Sequence, residues 1–260
     1  MFKNMIGTIA VLCGIAPWMA HATGVLPDTP LLVVSESEGT AQMGLKNTDD
    51  QPLLLFTTIK DLPGQKGPEL YAIPPVIRVE PGARQVVRFF LQKGAQPLSV
   101  QELKRVYFEG VPPEAKGKAA TESKVRLTVR QDIPVVISPR GLEQDPQPWK
   151  KLQWSTDGKD IVVTNPSPFV VRLSQSVDLL PTGGRAVAFA KTYILPGEKI
   201  TLKLPPKVKV SEVRGVRLFP ASPFGFDVGK YDVELSAGAP LVVTEPTVGA
   251  SQAGVAVPAM

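Results

Sequence analysis

The side chains that most often carry out protein chemistry are nearly absent from this chain. It has one cysteine, Cys13, and one histidine, His21. Both lie in the first 22 residues, where Lys3, an apolar run and the Ala20-His21-Ala22 pattern predict a cleaved secretory signal peptide. The rest of the chain would then hold no cysteine nucleophile, no Ser-His-Asp triad, no disulfide and no zinc site based on cysteine or histidine. We therefore predict neither a cofactor nor a metal.

Catalysis without cysteine or histidine would need a Ser–Lys pair, two carboxylates or a tyrosine. The sequence shows no Ser-x-x-Lys motif in a catalytic setting and no G-x-S-x-G turn. The adjacent carboxylates of Asp49 and Asp50 lie in a predicted turn, where solvation is the simpler role. These observations predict that the protein is not an enzyme.

The charge of the chain is mildly basic. Removal of Lys3 with the signal peptide lowers the formal net charge from +5 to +4, which suits an acidic partner surface or simply a solvated one. Basic residues do not cluster with aromatic residues, which argues against nucleic-acid binding. No later segment is long and apolar enough to span a bilayer, so we expect an exported protein without stable membrane insertion.

The segment 125–137 carries the pattern with the clearest chemical use. Its side chains alternate between an apolar and a polar face, as expected of a half-buried strand. The apolar face begins with Val125, Leu127 and Val129, and the polar face with Arg126, Thr128 and Arg130. Gln131 interrupts the apolar face, which resumes at Ile133. On pattern alone, this is an ordinary strand with one side against a core.

The elements around this segment predict an all-β protein. The chain's 27 prolines and 22 glycines separate short apolar runs, as in β-sandwiches. We predict strands in the first half near 31–35, 40–46, 52–59, 76–79, 84–91, 105–109 and 125–137. Those of the second half lie near 151–155, 160–164, 169–177, 186–189, 199–204, 213–219 and 230–235.

Two immunoglobulin-like β-sandwich domains joined by a short linker account for this order of strands. The predicted boundaries are 1–22 for the signal peptide, 23–138 for the N-terminal domain and 139–148 for the linker. The C-terminal domain follows at 149–239, and residues 240–260, which are rich in Ala, Gly, Val and Pro, form a tail without a pattern.

Several motifs, taken in order, resemble one family. Residues 73–88 form a hairpin-like string in which Pro74-Pro75 precedes the first strand and Pro81-Gly82 makes the turn. Residues 165–169 read Asn-Pro-Ser-Pro-Phe, and weaker similarities lie at 106–113, 125–139 and 194–198. Together they resemble the periplasmic pilus-assembly chaperones of the chaperone–usher pathway, over both domains.

The resemblance implies a function for the segment 125–137. In this family the last strand of the first domain is an edge strand, lent to a pilus subunit whose own sandwich lacks a strand. The implied donor-strand residues are Val125, Leu127, Thr128, Val129, Arg130 and Ile133. The implied partners are pilus subunits and an outer-membrane usher, in the periplasm, with the free chaperone monomeric or weakly self-associated.

The chain departs from the family at two positions. Members of the family's best-known branch hold the C-terminal carboxylate of the subunit with two basic residues in the cleft between the domains. Here the matching positions are Pro30 and Pro134. Either the subunit is held mainly by backbone pairing and apolar insertion, which we favour, or a displaced base binds the carboxylate. The candidate bases are Arg130, Arg140 and Arg172.

Proline at 134 also bears on how far the donor strand reaches. Because proline has no N–H, we expect subunit pairing to run from Val125 to about Asp132. The charge network that the family buries between its domains is harder to place, and Glu102, Glu109, Arg88 and Asp227 are candidates with solvation as the simpler role. A secreted two-domain adhesin or structural surface protein is the alternative function, since such proteins also use tandem immunoglobulin-like domains.

Overall fold

The computed structural model describes residues 24–113, 128–181 and 186–235. The predicted signal peptide, the tail 240–260 and the predicted donor residues Val125 and Leu127 lie outside these ranges. Within them, no helix has the length and hydropathy that a membrane span requires.

The N-terminal domain is a sandwich of two sheets. Its nine strands are β1 (Val25–Pro27), β2 (Leu32–Ser35), β3 (Thr40–Asn47), β4 (Leu53–Asp61), β5 (Leu70–Ile73), β6 (Val76–Val79), β7 (Arg84–Leu91), β8 (Glu102–Val111) and β9 (Arg130–Ser138). The order β1-β3-β7-β5 forms a four-stranded sheet and β2-β9-β8-β4-β6 a five-stranded sheet. Their inner faces enclose a core that includes Phe89 and Phe108. These two rings pack edge to face, with their centroids 6.4 Å apart.

The predicted hairpin at 73–88 is corrected by this topology. Its turn forms as expected, because the Ala83 N–H donates to the Glu80 carbonyl and Gly82 has a φ of +68°. The two strands do not pair with each other, however. β6 pairs with β4 in one sheet, whereas β7 pairs with β3 and β5 in the other. The segment is therefore an arch between the two sheets.

The C-terminal domain has shorter strands in three sheets. They are β10 (Gln153–Thr156), β11 (Ile161–Thr164), β12 (Val171–Arg172), β13 (Ser176–Leu180), β14 (Ala186–Ala188), β15 (Tyr193–Ile194), β16 (Lys199–Leu202), β17 (Gly215–Leu218) and β18 (Tyr231–Glu234). The sheets have the orders β10-β11-β16, β12-β15 and β14-β13-β17-β18. Single 3₁₀ turns, Pro148–Lys151 and Val210–Glu212, precede β10 and β17. The strand predicted at 169–177 is two strands, β12 and β13.

An asparagine corner recurs in both domains. The buried amide of Asn47 donates to the carbonyls of Gln51, Val79 and Glu80, just before the Pro81-Gly82 turn. The buried amide of Asn165 donates in the same way to the carbonyls of Phe169, Ile194 and Leu195, just before the Pro196-Gly197 turn. Each asparagine amide thus links the carbonyl four residues downstream of itself to the carbonyls that precede a Pro-Gly turn.

The two domains are in direct contact. Leu31, Leu103 and Val136 of the first domain pack with Val170 and Leu195 of the second in a separate apolar cluster. Hydrogen bonds reinforce this cluster, since the Gln101 N–H donates to the Pro168 carbonyl and the Val170 N–H donates to the Gln101 side chain, at 2.8 and 2.9 Å. Packing and hydrogen bonds together fix the cleft between the domains.

Candidate functional site: the open edge of β9 and the interdomain cleft

Strand β9 has two different halves. From Val135 to Ile137 it lies between β8, which is antiparallel, and β2, which is parallel, and β2 also pairs with Ser138. From Arg130 to Pro134 it pairs with β8 alone among the described residues. The prediction of an edge strand is therefore wrong for the second half of the strand, while the first half offers an unpaired backbone edge.

Side-chain burial divides the predicted donor residues. Val129, just before β9, is 46% exposed, and Thr128 and Arg130 are also exposed. Ile133 is only 8% exposed and packs in the core of its own domain. We therefore correct the predicted set by removing Ile133, because a side chain enclosed by its own domain cannot enter another one.

Proline 134 stands where the open edge ends. It lies opposite Arg105 of β8, one residue before the pairing of Val135 with Leu32 of β2 begins. Because proline has no N–H, it offers no donor to a strand added at this point. The open edge available to another chain therefore has a defined end at the cleft.

The three candidate bases lie in different places. Arg130 lies opposite Glu109 at the far end of β9, with its guanidinium 4.6 Å from the centre of the Tyr107 ring. Arg140 lies after β9, where its backbone N–H donates to the Glu36 carboxylate at 2.9 Å. Arg172, on β12, lines the pocket between the domains. Of the three, only Arg172 lies in the cleft.

The guanidinium of Arg172 has an unusual environment. Its Nη1 atom is buried and has no hydrogen-bond partner within the described part of the chain. Burial lowers the pKa of Arg172, and the positive charge of nearby Arg105 lowers it further. Arg105 itself bonds to Asp132 at 2.7 Å. The cleft thus holds a cation that lacks a counterion among the described groups.

A hairpin of the C-terminal domain reaches position 30. A Cβ placed on Gly225 would lie 2.9 Å from the Pro30 Cγ and 3.5 Å from the Arg172 Nη1. Gly225 also has a φ of +88°, a conformation that favours glycine. Pro30 is therefore packed against this hairpin and lies beside Arg172.

The pocket in the cleft has mainly apolar walls. It has a volume of about 140 Å³ and is lined by side chains of both domains, among them Leu31, Val136, Phe169, Val170, Arg172 and Phe224. Arg105 and Phe224 were not among the site residues predicted from the sequence. The alternation on β8 is a signal that places Arg105 on the outer face, opposite the buried Val106 and Phe108.

The sequence did not predict the buried ion pair of Lys104 and Asp61. Lys104, 4% exposed, bonds to the Asp61 carboxylate. Of the predicted candidates, Glu102 lies near this pair, and its pKa is raised by burial and by Asp61 while Lys104 opposes the rise. Arg88 and Asp227 are exposed instead. The described residues hold no cluster of side chains suited to a metal ion.

Protein-family models match both domains. Residues 24–143 match the model of the pili and flagellar-assembly chaperone, PapD N-terminal domain, and residues 147–218 match that of the pili assembly chaperone PapD, C-terminal domain.

Two proteins illustrate the similarity of sequence. The chain is 43% identical over 215 residues to the Escherichia coli K12 protein described as uncharacterized fimbrial chaperone YhcA, covering 82% of this chain and 92% of that protein. It is 25% identical over 207 residues to the chaperone protein MrkB of Klebsiella pneumoniae, covering 77% and 88%.

Solved structures share the two-domain fold. A structure of the Salmonella enterica SafA pilin in complex with the SafB chaperone matches with a TM-score of 0.69 at 19% identity, covering 83% of this chain and 98% of the matched chain. The Pseudomonas aeruginosa CupB2 chaperone matches with a TM-score of 0.64 at 23% identity, covering 81% and 100%. At these identities the likeness concerns the fold, which agrees with two immunoglobulin-like sandwiches.

Proposed function

This chain belongs to the family of pili and flagellar-assembly chaperones, and we propose that it stabilises a pilus subunit in the periplasm by donor-strand complementation. In this mode the chaperone adds its own strand to the incomplete sandwich of the subunit, and alternate side chains fill the open core. The family consists of assembly chaperones, so the alternative of a surface adhesin is set aside.

The open edge of β9 carries this proposal. Its backbone from Arg130 to Pro134 has a partner on one side only, among the residues described, and Val129 before it is 46% exposed. Each apolar side chain inserted into a subunit would contribute about 1.5–3 kcal/mol and each backbone hydrogen bond about 1 kcal/mol. Association costs offset part of this gain, which leaves a stable but exchangeable complex.

The second part of the proposal concerns the subunit's carboxylate. Of the two explanations for Pro30 and Pro134, the geometry favours a displaced base. Arg172 lies beside Pro30, and its Nη1 has no partner in the described ranges. A carboxylate bound there would satisfy the buried donor with a charge-assisted hydrogen bond. Arg130 and Arg140, which lie elsewhere, are not proposed for this role.

Delivery to an outer-membrane usher completes the proposed cycle. After the subunit has bound along β9, other faces of the N-terminal domain stay free for a second partner. Leu54 of β4 and Val76 of β6, each 45% exposed, lie on such a face of the five-stranded sheet. We propose the usher as this second partner.

Co-expression with each small secreted protein encoded beside this chain tests the function. The expected result is one subunit that co-purifies with the chaperone in a one-to-one complex. The variant Val129→Glu should lose this subunit, because a charge cannot enter an apolar groove. The same result is expected for Leu127→Glu.

Val86→Glu is the matched control. Val86 is 42% exposed on the outer face of the four-stranded sheet, away from β9, so this variant should keep the subunit. All three variants should fold, as shown by unchanged circular dichroism. Undiminished co-purification with Val129→Glu and Leu127→Glu would show that the donor assignment is wrong.

A further inference from the structure

The pocket between the domains supports a further inference, which rests on the proposed function. We propose that this pocket binds the last side chain of a guest polypeptide paired to β9, and that Phe224 makes it selective for an apolar residue.

The course of β9 places the end of a guest strand at this pocket. A guest can pair with β9 only as far as Pro134, because β2 occupies the same edge from Val135 onward. Val136, two residues beyond Pro134, forms part of the pocket wall together with Leu31. A guest strand that reaches Pro134 must therefore end or turn away beside the pocket.

The size and walls of the pocket fit one apolar side chain. Its volume of about 140 Å³ is close to that of an engineered protein cavity of about 150 Å³ that binds benzene. Phe169, Val170 and Phe224 contribute apolar walls to it. A leucine or phenylalanine side chain would fill this space, whereas glycine would leave it empty.

The charges around the pocket favour a chain end over an internal residue. The Asp145 carboxylate also lines the pocket, but it bonds to Lys151 at 3.3 Å and accepts the Gln147 N–H at 2.8 Å. The Nη1 of Arg172 is the buried donor without a partner among the described residues. The uncompensated charge is thus positive, which complements the α-carboxylate of a final residue.

Phe224 lies on a hairpin that is ordered by its own hydrogen bonds. The Ser222 N–H donates to the Phe226 carbonyl at 2.7 Å, and the Gly225 N–H donates to the Ser222 carbonyl at 2.8 Å. Phe224 is 56% exposed and lines the pocket. Phe226, two residues away, is 63% exposed and is not part of the pocket wall, which makes it a matched control.

Fluorescence anisotropy with synthetic peptides tests the pocket. The probe is a labelled peptide of alternating valine and threonine, ending in leucine, glycine or aspartate as a free acid, or in leucine amide. The full chain should bind the leucine acid at least about tenfold more tightly than the glycine or aspartate acid, because only leucine fills the pocket. The amide should bind more weakly than the acid.

Two variants separate the two parts of the site. Phe224→Ala should remove most of the preference for leucine over glycine and keep the preference for acid over amide. Arg172→Gln should remove most of the preference for acid over amide and keep the preference for leucine over glycine. Phe226→Ala should behave like the unmodified chain.

Equal affinities of the unmodified chain for the four peptides, or no binding at all, would overturn the inference. So would a leucine preference that Phe224→Ala leaves intact. Equal affinities for the leucine acid and the leucine amide would also contradict the proposed binding of the carboxylate by Arg172. The donor-strand part of the proposed function is tested separately, by co-purification of a subunit and by its loss in Val129→Glu.

Discussion

The two halves of β9 differ in the strands that lie beside them. Val135 and Ile137 have a strand on each side and are fully buried. Arg130 to Pro134 has β8 on one side and, among the described residues, no strand on the other. Both halves thus belong to the five-stranded sheet through β8, but only the first half has an unpaired backbone edge within the described ranges.

The start of the chain creates this difference. β1 pairs with β3 in the four-stranded sheet, and the chain then crosses to the five-stranded sheet, where β2 begins at Leu32. The length of open edge on β9 is set by the place where β2 begins to pair. The apolar alternation within β9 does not show this boundary.

The largest expected effect follows from the burial of the second half. Ile137→Ala should lower the free energy of unfolding of the N-terminal domain by about 2–5 kcal/mol, because it leaves a cavity in the core. Val129→Ala should change it by less than about 0.5 kcal/mol, since Val129 is exposed. Urea unfolding of both variants measures the difference, and similar losses would contradict the division of β9.

The sequence predicted most of the strands because local signals define them. The ranges 76–79 and 84–91 agree with β6 and β7, since Pro81-Gly82 makes a turn between two apolar runs. β5 (Leu70–Ile73) was missed, because prolines at 68, 74 and 75 flank it and weaken its strand pattern. The assignment of β6 and β7 to opposite sheets depends on distant pairing, which local signals do not contain.

The site was predicted only in part, for the same reason. The alternation identified the segment that contains β9, but the burial of Ile133 depends on the opposite sheet. Three arginines were equal candidates by sequence, and only the packing of β12 against the first domain places Arg172 in the cleft. Phe224 and Phe226 were equally inconspicuous, and the hairpin geometry alone separates them.

Glu36 directly follows β2 and lies at the end of its pairing with the second half of β9. Its N–H donates to the Ser138 carbonyl, and its carboxylate accepts the backbone N–H groups of Arg140 and Leu98 at 2.9 and 3.0 Å. These bonds, first that of Arg140, hold the pKa of Glu36 below its ordinary value of 4.5, although burial opposes them. Ionised Glu36 therefore stabilises the end of the β2–β9 pair.

The variant Glu36→Gln should lower the melting temperature at neutral pH by a few degrees. A carboxyl whose pKa is lower in the folded state stabilises the fold above its unfolded pKa, and this contribution disappears as the pH falls through the folded pKa. The gap between the variant and the unmodified chain should thus narrow below pH 4.5. Thermal unfolding at several pH values measures it, and a gap that widens with acid would contradict the assignment.

Glu102 lies on β8, on the other side of the second half of β9. Its substitution should change the melting temperature less than that of Glu36, and in the opposite direction. It pairs with Ile137 in the ladder, and its pKa is raised by burial, with Asp61 adding to the rise and Lys104 opposing it. A raised pKa means that the folded state favours the protonated carboxyl, so the stabilisation is complete below pH 4.5 and is lost as the pH rises through the folded pKa. Glu102→Gln should therefore raise the melting temperature slightly at neutral pH, and acid should remove this gain. A lower melting temperature at neutral pH would show that the charge of Glu102 supports β9 in the way that the charge of Glu36 does.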